Sequence, residues 1–462
     1  MATNEPTHNS NLGGLKLLAI GDVHLGTRPS SLPDDLSDLG VSPSDLTPEA
    51  ALSTTVDLAI AEEVEAVLFA GDVVESTNAR FEALRPLEAA VKRLSDAGIH
   101  VLAVVGNHDV EALPRLASRI EGLTILGIGG KWESHVIEKD GRPVAEIVGW
   151  SFPERHVRRS PVAEFLASPM NPRHPGIPRL GLVHGDLDAS DSNYAPISRQ
   201  DLRNAGLDAW LLGHIHKPSL GGSAKIGEQM LYGYLGSLVG LDPGELGPHG
   251  PWMIHIDGTG RIRPHQHLIS PLRWEYVDVN VEGVVNAEDL GDLLLDAAER
   301  SAAEIHVSGH APAALGIRIR LVGKTRQYGS FSKYVEDKAW ADLRRNVGAT
   351  FVFVNKLINN IEPSENLEAI AKGNDPPALL AQMLLSLARQ DEDGLRLIED
   401  ARVKLTAQAD NTTWSPLKQV RDPKDPLSNE ALTTTLKQAG MSALNSLLSQ
   451  QRADLDESGS ST

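Results

Sequence analysis

The sequence of 462 residues contains no cysteine. Without thiols, the chain can form neither disulfides nor thiolate metal sites, and this composition is typical of a reducing compartment. We therefore expect a cytoplasmic protein. Any metal ion that it binds must be held by nitrogen and oxygen ligands.

Long apolar runs are also lacking, since no stretch approaches the roughly 18 consecutive apolar residues of a membrane-spanning helix. Residues 1–14 are polar and lack a basic segment followed by an apolar one, so they do not resemble a secretory signal. The sequence therefore predicts no membrane association and a disordered tail over residues 1–14.

Basic residues are outnumbered, with 43 Lys and Arg against 62 Asp and Glu, for a net charge of -19. Proteins that bind nucleic acid over their whole surface are usually basic, because Lys and Arg contact the phosphates. A nucleic-acid ligand would therefore need a local basic patch, metal ions or a partner protein.

What the first half does contain is an alternation of strand-like and helix-like segments. Apolar runs at 15–20, 66–70 and 99–105 are separated by helical patterns over 48–65 and 79–97. Further strand-like runs lie at 123–128, 134–138, 144–150, 180–184, 209–213, 230–235, 252–256 and 262–268. The pattern predicts an α/β fold, an α+β sandwich of two packed mixed sheets flanked by helices, over residues 15–270.

The character of the chain changes near Pro271. Strand-like segments at 273–281, 316–322 and 350–357, with helical patterns at 286–303 and 333–345, predict a small β-α-β-α-β capping domain over residues 271–362. A helical region is predicted over 363–453, on the helical spacing of its leucines. The last segment, 454–462, is predicted to be a disordered tail.

Five short motifs follow strand-like runs and combine glycine with ligand-type side chains. At the carboxyl ends of strands, where open α/β sheets bind ligands, such side chains can meet. Aspartate, histidine and asparagine suit Mn²⁺, Fe, Zn²⁺ or Mg²⁺, and two metals roughly 3.5–4 Å apart suit phosphoester hydrolysis. The motifs are Gly21-Asp22-Val23-His24, Gly71-Asp72, Gly106-Asn107-His108-Asp109, His184-Gly185-Asp186 and Gly213-His214-Ile215-His216.

Each motif by itself has an ordinary structural explanation. Gly71-Asp72 alone is more often a turn than a metal site, and His184 alone could be a core histidine. Five such motifs in this order, all at strand ends, are very improbable by chance. The sequence therefore predicts one metal site built from Asp22, His24, Asp72, Asn107, His184, His214 and His216.

This ordered set of motifs resembles the calcineurin-like metallophosphoesterase superfamily over about residues 15–268. Within it, the segments 67–72 (VLFAGD) and 234–237 (YLGS) are similar to SbcD-type nuclease subunits of double-strand-break repair complexes. Segments 250–252 (GPW) and 271–274 (PLRW) add to this similarity.

The resemblance implies a role for each site residue. One ion, most often Mn²⁺ in this branch, would be held by Asp22, His24, Asp72 and His216. The second would be held by Asp72, Asn107, His184 and His214, with Asp72 bridging the two ions. His108 would act at the scissile phosphate, and Asp109 could orient His108.

Four basic residues are candidate substrate contacts: Arg155, Arg158, Arg159 and Lys217. A solvated surface run explains the three arginines equally well. The Pro- and Ser-rich insert over residues 28–47 is assigned no role.

The leading hypothesis is a dinuclear-metal-dependent DNA exonuclease and endonuclease, the nuclease subunit of an SbcCD-type repair complex. The resemblance implies three partners: DNA, an SbcC-like ABC-type ATPase subunit and a second copy of the chain. The C-terminal helices either pack on the core or bind the ATPase. One alternative is a phosphodiesterase for cyclic nucleotides or other small molecules. Another is a non-catalytic scaffold, which the intact ligand set and His108 disfavour.

Overall fold

The computed structural model describes residues 14–34, 36, 40–75, 82–168, 170, 174, 176–286, 288–364, 367–409 and 427–459. The chain divides into two compact units. The first comprises Met1–Tyr276, Ala298–Arg318 and Arg344–Asn355, and the second comprises Val277–Ala297, Ile319–Leu343 and Lys356–Thr462. The segment 271–362, predicted to be a capping domain, is thus divided between the two units.

A seven-stranded mixed sheet forms the first layer of the first unit. Its parallel half is built from β1 (Leu15–Ile20), β2 (Ala66–Phe69), β3 (His100–Ala103) and β4 (Leu123–Ile125). Its antiparallel half is built from β9 (Ala224–Lys225), β11 (Trp252–Ile256) and β12 (Arg261–Gln266). The strand order is β4-β3-β2-β1-β11-β12-β9.

A five-stranded mixed sheet forms the second layer, in the order β10-β8-β7-β6-β5. Only the β5–β6 hairpin is antiparallel among the pairings of this sheet. Its strands are β5 (Trp132–Lys139), β6 (Arg142–Trp150), β7 (Arg179–His184), β8 (Ala209–Gly213) and β10 (Leu231–Tyr234).

Alternating side chains of β1 show how the layers pack. Leu17 and Ala19 join a buried cluster that includes Leu180 and Leu211 of the second sheet. Leu18 and Ile20 point the opposite way, as expected for a strand, into a cluster with residues of α1 and α2. A third cluster covers the outer face of the second sheet. The helices of this unit are α1 (Pro48–Ala61), α2 (Leu84–Asp96), α3 (Ala112–Ala117), α4 (Pro161–Ala167) and α5 (Arg199–Asn204).

The predicted fold class, two packed mixed sheets flanked by helices, is therefore confirmed. The helix predicted from residue 79 begins at Leu84, and residues 79–81 lie outside the described part of the chain. Gly14 is the one described residue of the tail predicted over 1–14.

The remaining strands form a four-stranded sheet in the order β13-β14-β16-β15. They are β13 (Leu272–Asn280), β14 (Ala314–Thr325), β15 (Arg344–Val347) and β16 (Thr350–Pro363). The helices from α6 onwards are α6 (Asp289–Val307), α7 (Tyr328–Glu336), α8 (Leu367–Ile370), α9 (Pro376–Arg389), α10 (Glu392–Ala409) and α11 (Asn429–Gly459).

The helix predicted over 333–345 is wrong in its second half. The helix α7 ends at Glu336, and Arg344 starts a strand that pairs antiparallel with β16. Val347 pairs with Thr350, so a two-residue turn joins the strands, and Gly348 supplies its positive φ of 60°. The pairing of this hairpin overrides the helical pattern of the local sequence.

The C-terminal leucines pack within the second unit. Leu444 of α11 is fully buried and contacts a cluster that contains Leu384 and Ala381 of α9. The tail predicted to be disordered over 454–462 is helical as far as Gly459, and 460–462 lie outside the described residues. None of the helices among the described residues is long and apolar enough to cross a membrane.

Candidate metal centre

The candidate ligands lie where five strands end. In the first sheet, Asp22 and His24 follow β1, Asp72 follows β2 and Asn107 follows β3. These three strands are parallel neighbours, so their carboxyl ends meet at one edge. In the second sheet, His184 ends β7, whereas His214 and His216 follow its parallel neighbour β8.

The structure brings all seven predicted ligands together. His184 Nε2 lies 3.0 Å from Asn107 Oδ1 and 3.3 Å from Asp72 Oδ2. His214 Nδ1 is 3.2 Å from the same Asn107 oxygen, and its backbone N–H donates to Asp22 Oδ1 at 3.0 Å. His24 Nε2 lies 3.1 Å from His216 Nε2.

The second ring nitrogen of each histidine in this set lies close to an oxygen atom outside the set. In a neutral ring, such an oxygen accepts the N–H of the outer nitrogen, which leaves the lone pair on the inner one. These outer distances are His24 to Glu75 at 3.4 Å, His184 to the Ala70 carbonyl at 3.0 Å, His214 to Asp186 at 3.2 Å and His216 to Glu245 at 2.8 Å.

Two inner ring nitrogens, Nε2 of His24 and Nε2 of His216, face each other across 3.1 Å. Such a pair of neutral nitrogens repels unless a cation lies near both. The donor set is imidazole nitrogen with carboxylate and amide oxygen, which fits a divalent metal ion. The residues of the cluster therefore fit the metal ions that the sequence motifs imply.

The electrostatics of the cluster also favour a cation. Burial lowers the pKa of His184, but the carboxylates of Asp72 and Asp22 outweigh it and raise this pKa to about 9. Burial would raise the pKa of Asp72, yet its histidine neighbours, chiefly His184, bring it below its ordinary value. Both carboxylates are almost fully buried, and buried charges need an opposite charge beside them.

The backbone around the ligands is unusual. His24, Asp72 and His214 have φ values of 54°, 49° and 105°, a region that residues other than glycine rarely adopt. Strained residues of this kind cluster at functional sites, where the surroundings hold them in place. Gly106 permits one close approach, because a Cβ there would lie 2.2 Å from Asp72 Oδ1.

His108 lies beside the ligands. Its backbone N–H donates to Asp72 Oδ1 at 2.8 Å, and its Nδ1 lies 3.0 Å from Glu75 Oε2. The hydrogen bond to Glu75 raises the pKa of His108 against the effect of burial. The side chain is 36% exposed, so it can reach a bound substrate.

The prediction that Asp109 orients His108 is wrong. Asp109 is fully buried, and its two carboxylate oxygens accept the backbone N–H groups of Gly106 and Val73, each at 2.7 Å. Asp109 therefore ties together the two loops that carry Asn107 and Asp72. Glu75 takes the orienting position at His108.

Three carboxylates at the outer ring nitrogens were missed as partners. Glu75 stands three residues after Asp72, so its position beside the motif was a usable signal. Asp186 was part of a quoted motif but was given no role. Glu245 had no local signal, because it lies 29 residues beyond His216 in a loop.

The four candidate basic residues differ in position. Arg155 lines a cavity of about 440 Å³ together with His108 and Asn107. Arg158 donates to Asn193 at 2.8 Å, and Arg159 pairs with Glu164 at 2.8 Å. Lys217 is exposed directly after His216.

The insert over 28–47 is partly built into the fold. Its described part includes a short 3-10 helix, Pro43–Leu46, and both Leu36 and Leu46 are buried in the core. Arg28, by contrast, lines a second cavity of about 390 Å³.

Comparison with known proteins agrees with this geometry. Residues 15–218 match the family described as calcineurin-like phosphoesterase. The chain is 27% identical over 266 residues to the uncharacterized metallophosphoesterase YhaO of Bacillus subtilis, covering 54% of this chain and 59% of YhaO. It therefore spans less than two thirds of that relative.

Two further relatives are both described as DNA double-strand break repair protein Mre11. The one from Aeropyrum pernix is 26% identical over 288 residues, or 60% of this chain and 67% of that protein. The one from Saccharolobus solfataricus is 33% identical over 95 residues, or 21% and 23%. The match over the segment that carries Asp22 through His216 shows that the chain contains a calcineurin-like phosphoesterase domain.

Proposed function

We propose that this chain is a metal-dependent phosphodiesterase that hydrolyses DNA at a two-metal centre. The observation that carries the proposal is the inward-facing ring nitrogen of each histidine in the ligand set, beside two buried carboxylates. Such an arrangement stabilises bound divalent cations, and phosphoester hydrolysis is the chemistry of the domain.

The distances favour the same allotment of ligands that the resemblance implies. Asp72 lies between two groups, with one oxygen 3.3 Å from His184 and 4.0 Å from His24. One ion would then have the ligands Asp22, His24, Asp72 and His216, and the other Asp72, Asn107, His184 and His214. We propose Mn²⁺ as the metal.

When bound, two such ions neutralise phosphoryl oxygens and lower the pKa of a water molecule at the reacting phosphorus. His108 can act on the substrate directly, because it is not a metal ligand. Its outer nitrogen is held by Glu75, so its Nε2 is free to point towards a phosphate in the adjoining cavity. The hydrogen bond to Glu75 raises the pKa of His108 and so favours its protonated form, which can stabilise developing charge or protonate the leaving oxygen.

DNA as the substrate is supported by three features. Two of the relatives are named for DNA double-strand break repair. Arg155 lies on the cavity beside His108, where a phosphate of the chain being cut would lie. Lys217 is exposed next to His216. Because the net charge is -19, DNA binding would depend on this local patch, on the metal ions or on a partner protein.

We further propose an ABC-type ATPase subunit and a second copy of the chain as partners, as the resemblance implies. Leu444 is buried within the second unit, so it belongs to the packing of α9 and α11. An ATPase would instead meet exposed apolar side chains such as Leu379 and Met383 on α9.

A phosphodiesterase for small molecules is the second candidate. The acidic net charge favours it, because a small phosphodiester needs no extended basic surface. The metal centre would be the same in both cases.

The test compares two substrates under identical conditions. The purified chain, with and without the ATPase, is assayed with Mn²⁺ on linear duplex DNA and on a small chromogenic phosphodiester. We expect DNA cleavage that requires the metal and is lost on chelation. Turnover of the small ester with no cleavage of DNA in either preparation would contradict the DNA proposal and support the alternative.

A further inference from the structure

His216 is the least enclosed histidine of the ligand set. Its side chain is 32% exposed, compared with 16% for His214, 6% for His24 and none for His184. An exposed imidazole can rotate, and rotation would turn its inner nitrogen away from the centre. A metal-binding orientation of the His216 ring therefore requires a hydrogen-bond partner outside the centre.

Glu245 is placed to do so. One of its oxygens, Oε1, lies 2.8 Å from His216 Nδ1. The other oxygen accepts the Ser237 hydroxyl at 3.0 Å and the Leu241 backbone N–H at 3.1 Å. Because both oxygens are engaged, the carboxylate has one orientation, and the imidazole that bonds to it has one as well.

The loop that carries Glu245 is itself anchored. The Ser237 backbone N–H donates to the His216 carbonyl at 2.9 Å, which joins the loop to the metal motif. Trp274 Nε1 donates to the Gly240 carbonyl at 2.9 Å, and Arg318 donates to the Pro243 carbonyl at 3.2 Å. These contacts lie within the first unit, and they hold the loop at three points before Glu245.

We propose that Glu245 is a positioning residue that keeps the proton of His216 on Nδ1 and its Nε2 directed at the centre beside His24. This inference rests on the proposed two-metal function and deepens it. Glu245 does not contact the substrate; it acts through His216. A carboxylate of this kind orients a ligand and raises its basicity, and its loss typically weakens metal binding about 10–100-fold.

The test uses Glu245→Gln with Glu228→Gln as a matched control. Glu228 is an exposed glutamate that forms a surface ion pair with Lys225. Mn²⁺ binding to the metal-free protein is measured by the electron paramagnetic resonance of free Mn²⁺, alongside the thermal melting of the same metal-free samples. Activity on DNA is then titrated with Mn²⁺.

For Glu245→Gln we expect two ions still to bind, one of them about 10–100-fold more weakly. The Mn²⁺ concentration for half-maximal activity should rise by the same factor, and kcat should recover at saturating Mn²⁺. The melting temperature of the metal-free protein should stay within the range of the control. Ser237→Ala removes one hydrogen bond to Glu245 and should reduce the affinity for the same ion only a few-fold.

Three results would overturn the inference. Wild-type affinity for both ions in Glu245→Gln would show that His216 needs no such support. An equal loss of affinity for both ions, together with a lowered melting temperature, would show that Glu245 has a general structural role. If Glu245→Gln does not fold, unchanged Mn²⁺ binding in Ser237→Ala decides against the proposal. Failure of the wild-type chain to bind two ions would instead refute the two-metal function itself.

Discussion

The two sides of the centre are built differently. On one side, which we term the Asn107 side, Asn107, His184 and His214 converge. The fully buried His184 is fixed by a backbone carbonyl, and His214 lies against the side chain of Asp186. On the other, the His24 side, His24 and His216 are fixed by the side chains of Glu75 and Glu245. A ligand held by the backbone is fixed once the sheets form, whereas a ligand held by a side chain depends on distant residues.

This difference suggests a division of labour. His108 shares Glu75 with His24, and it lines the cavity that contains Arg155 together with Asn107. We infer that the Asn107 side is the more rigid half of the centre and that the His24 side adjusts more readily. The predictions below test that division, from the largest expected effect to the smallest.

The largest effect is expected from Asp72→Asn, because one Asp72 oxygen lies 3.3 Å from His184 on one side and 4.0 Å from His24 on the other. Removing its charge should weaken the binding of both ions. Hydrolysis should fall by about 10⁴-fold or more, which corresponds to about 5.5 kcal/mol of lost transition-state stabilisation. Metal stoichiometry and turnover are the measurements. Asp140→Asn is the control, because Asp140 lies in an exposed turn at a φ of 53° that asparagine tolerates. Loss of one ion only would argue against a bridging role.

His108→Ala should come next and should affect the His24 side without disturbing the ligands. We expect a decrease in kcat of about 10²–10⁴-fold, the usual contribution of a general acid or base, with two ions still bound. His265→Ala, at an exposed position on β12, serves as the control. Unchanged metal-dependent hydrolysis in His108→Ala would refute the proposed mechanism.

The ligands could be predicted from the sequence because each of them lies within a few residues of a strand end. Strand, glycine and ligand follow each other locally, so Asp22, Asp72 and His214 were visible without any knowledge of the fold. The residues that orient these ligands could not be predicted in this way. Glu245 reaches His216 only because a loop folds back over 29 residues, and no local pattern reports such a contact.

The same limit explains the two clearest errors. Asp109 stands beside His108 in sequence, but the backbone turns its carboxylate into the core, where it bonds to Gly106 and Val73. Residues 344–345 have a helical pattern, yet pairing with β16 overrides it. Local propensity predicts which side chains are available, while tertiary pairing decides where they point.

Protons should compete with metal on the Asn107 side. The pKa of His184 is raised to about 9, so below that pH the metal-free site holds a proton that a metal ion must displace. Affinity for that ion should therefore fall by about tenfold for each pH unit below 9, since one proton is released. Titration calorimetry in buffers of different ionisation enthalpy measures this proton release. Affinity that is independent of pH between 7 and about 9 would contradict it.

The smallest effect concerns the rigidity of the Asn107 side. A Cβ on Gly213 would lie 2.1 Å from the Ala70 carbonyl oxygen and 2.8 Å from His184 Nδ1, the two atoms that hydrogen-bond to each other. Gly213→Ala must therefore push this pair apart, and it should reduce the free energy of unfolding by about 1–3 kcal/mol.

Gly221→Ala is the matched control, because no atom lies within 4 Å of the added Cβ and its backbone is not in the left-handed region. It should leave stability unchanged or raise it by about 0.4–1 kcal/mol through the unfolded chain. Urea unfolding of the metal-free proteins measures both. If the Asn107 side is rigid, Gly213→Ala should also weaken the ion bound there, because the ring of His184 cannot shift without losing its backbone partner. Equal stability of the two variants would mean that this side adjusts as readily as the His24 side, and the contrast between them would no longer hold.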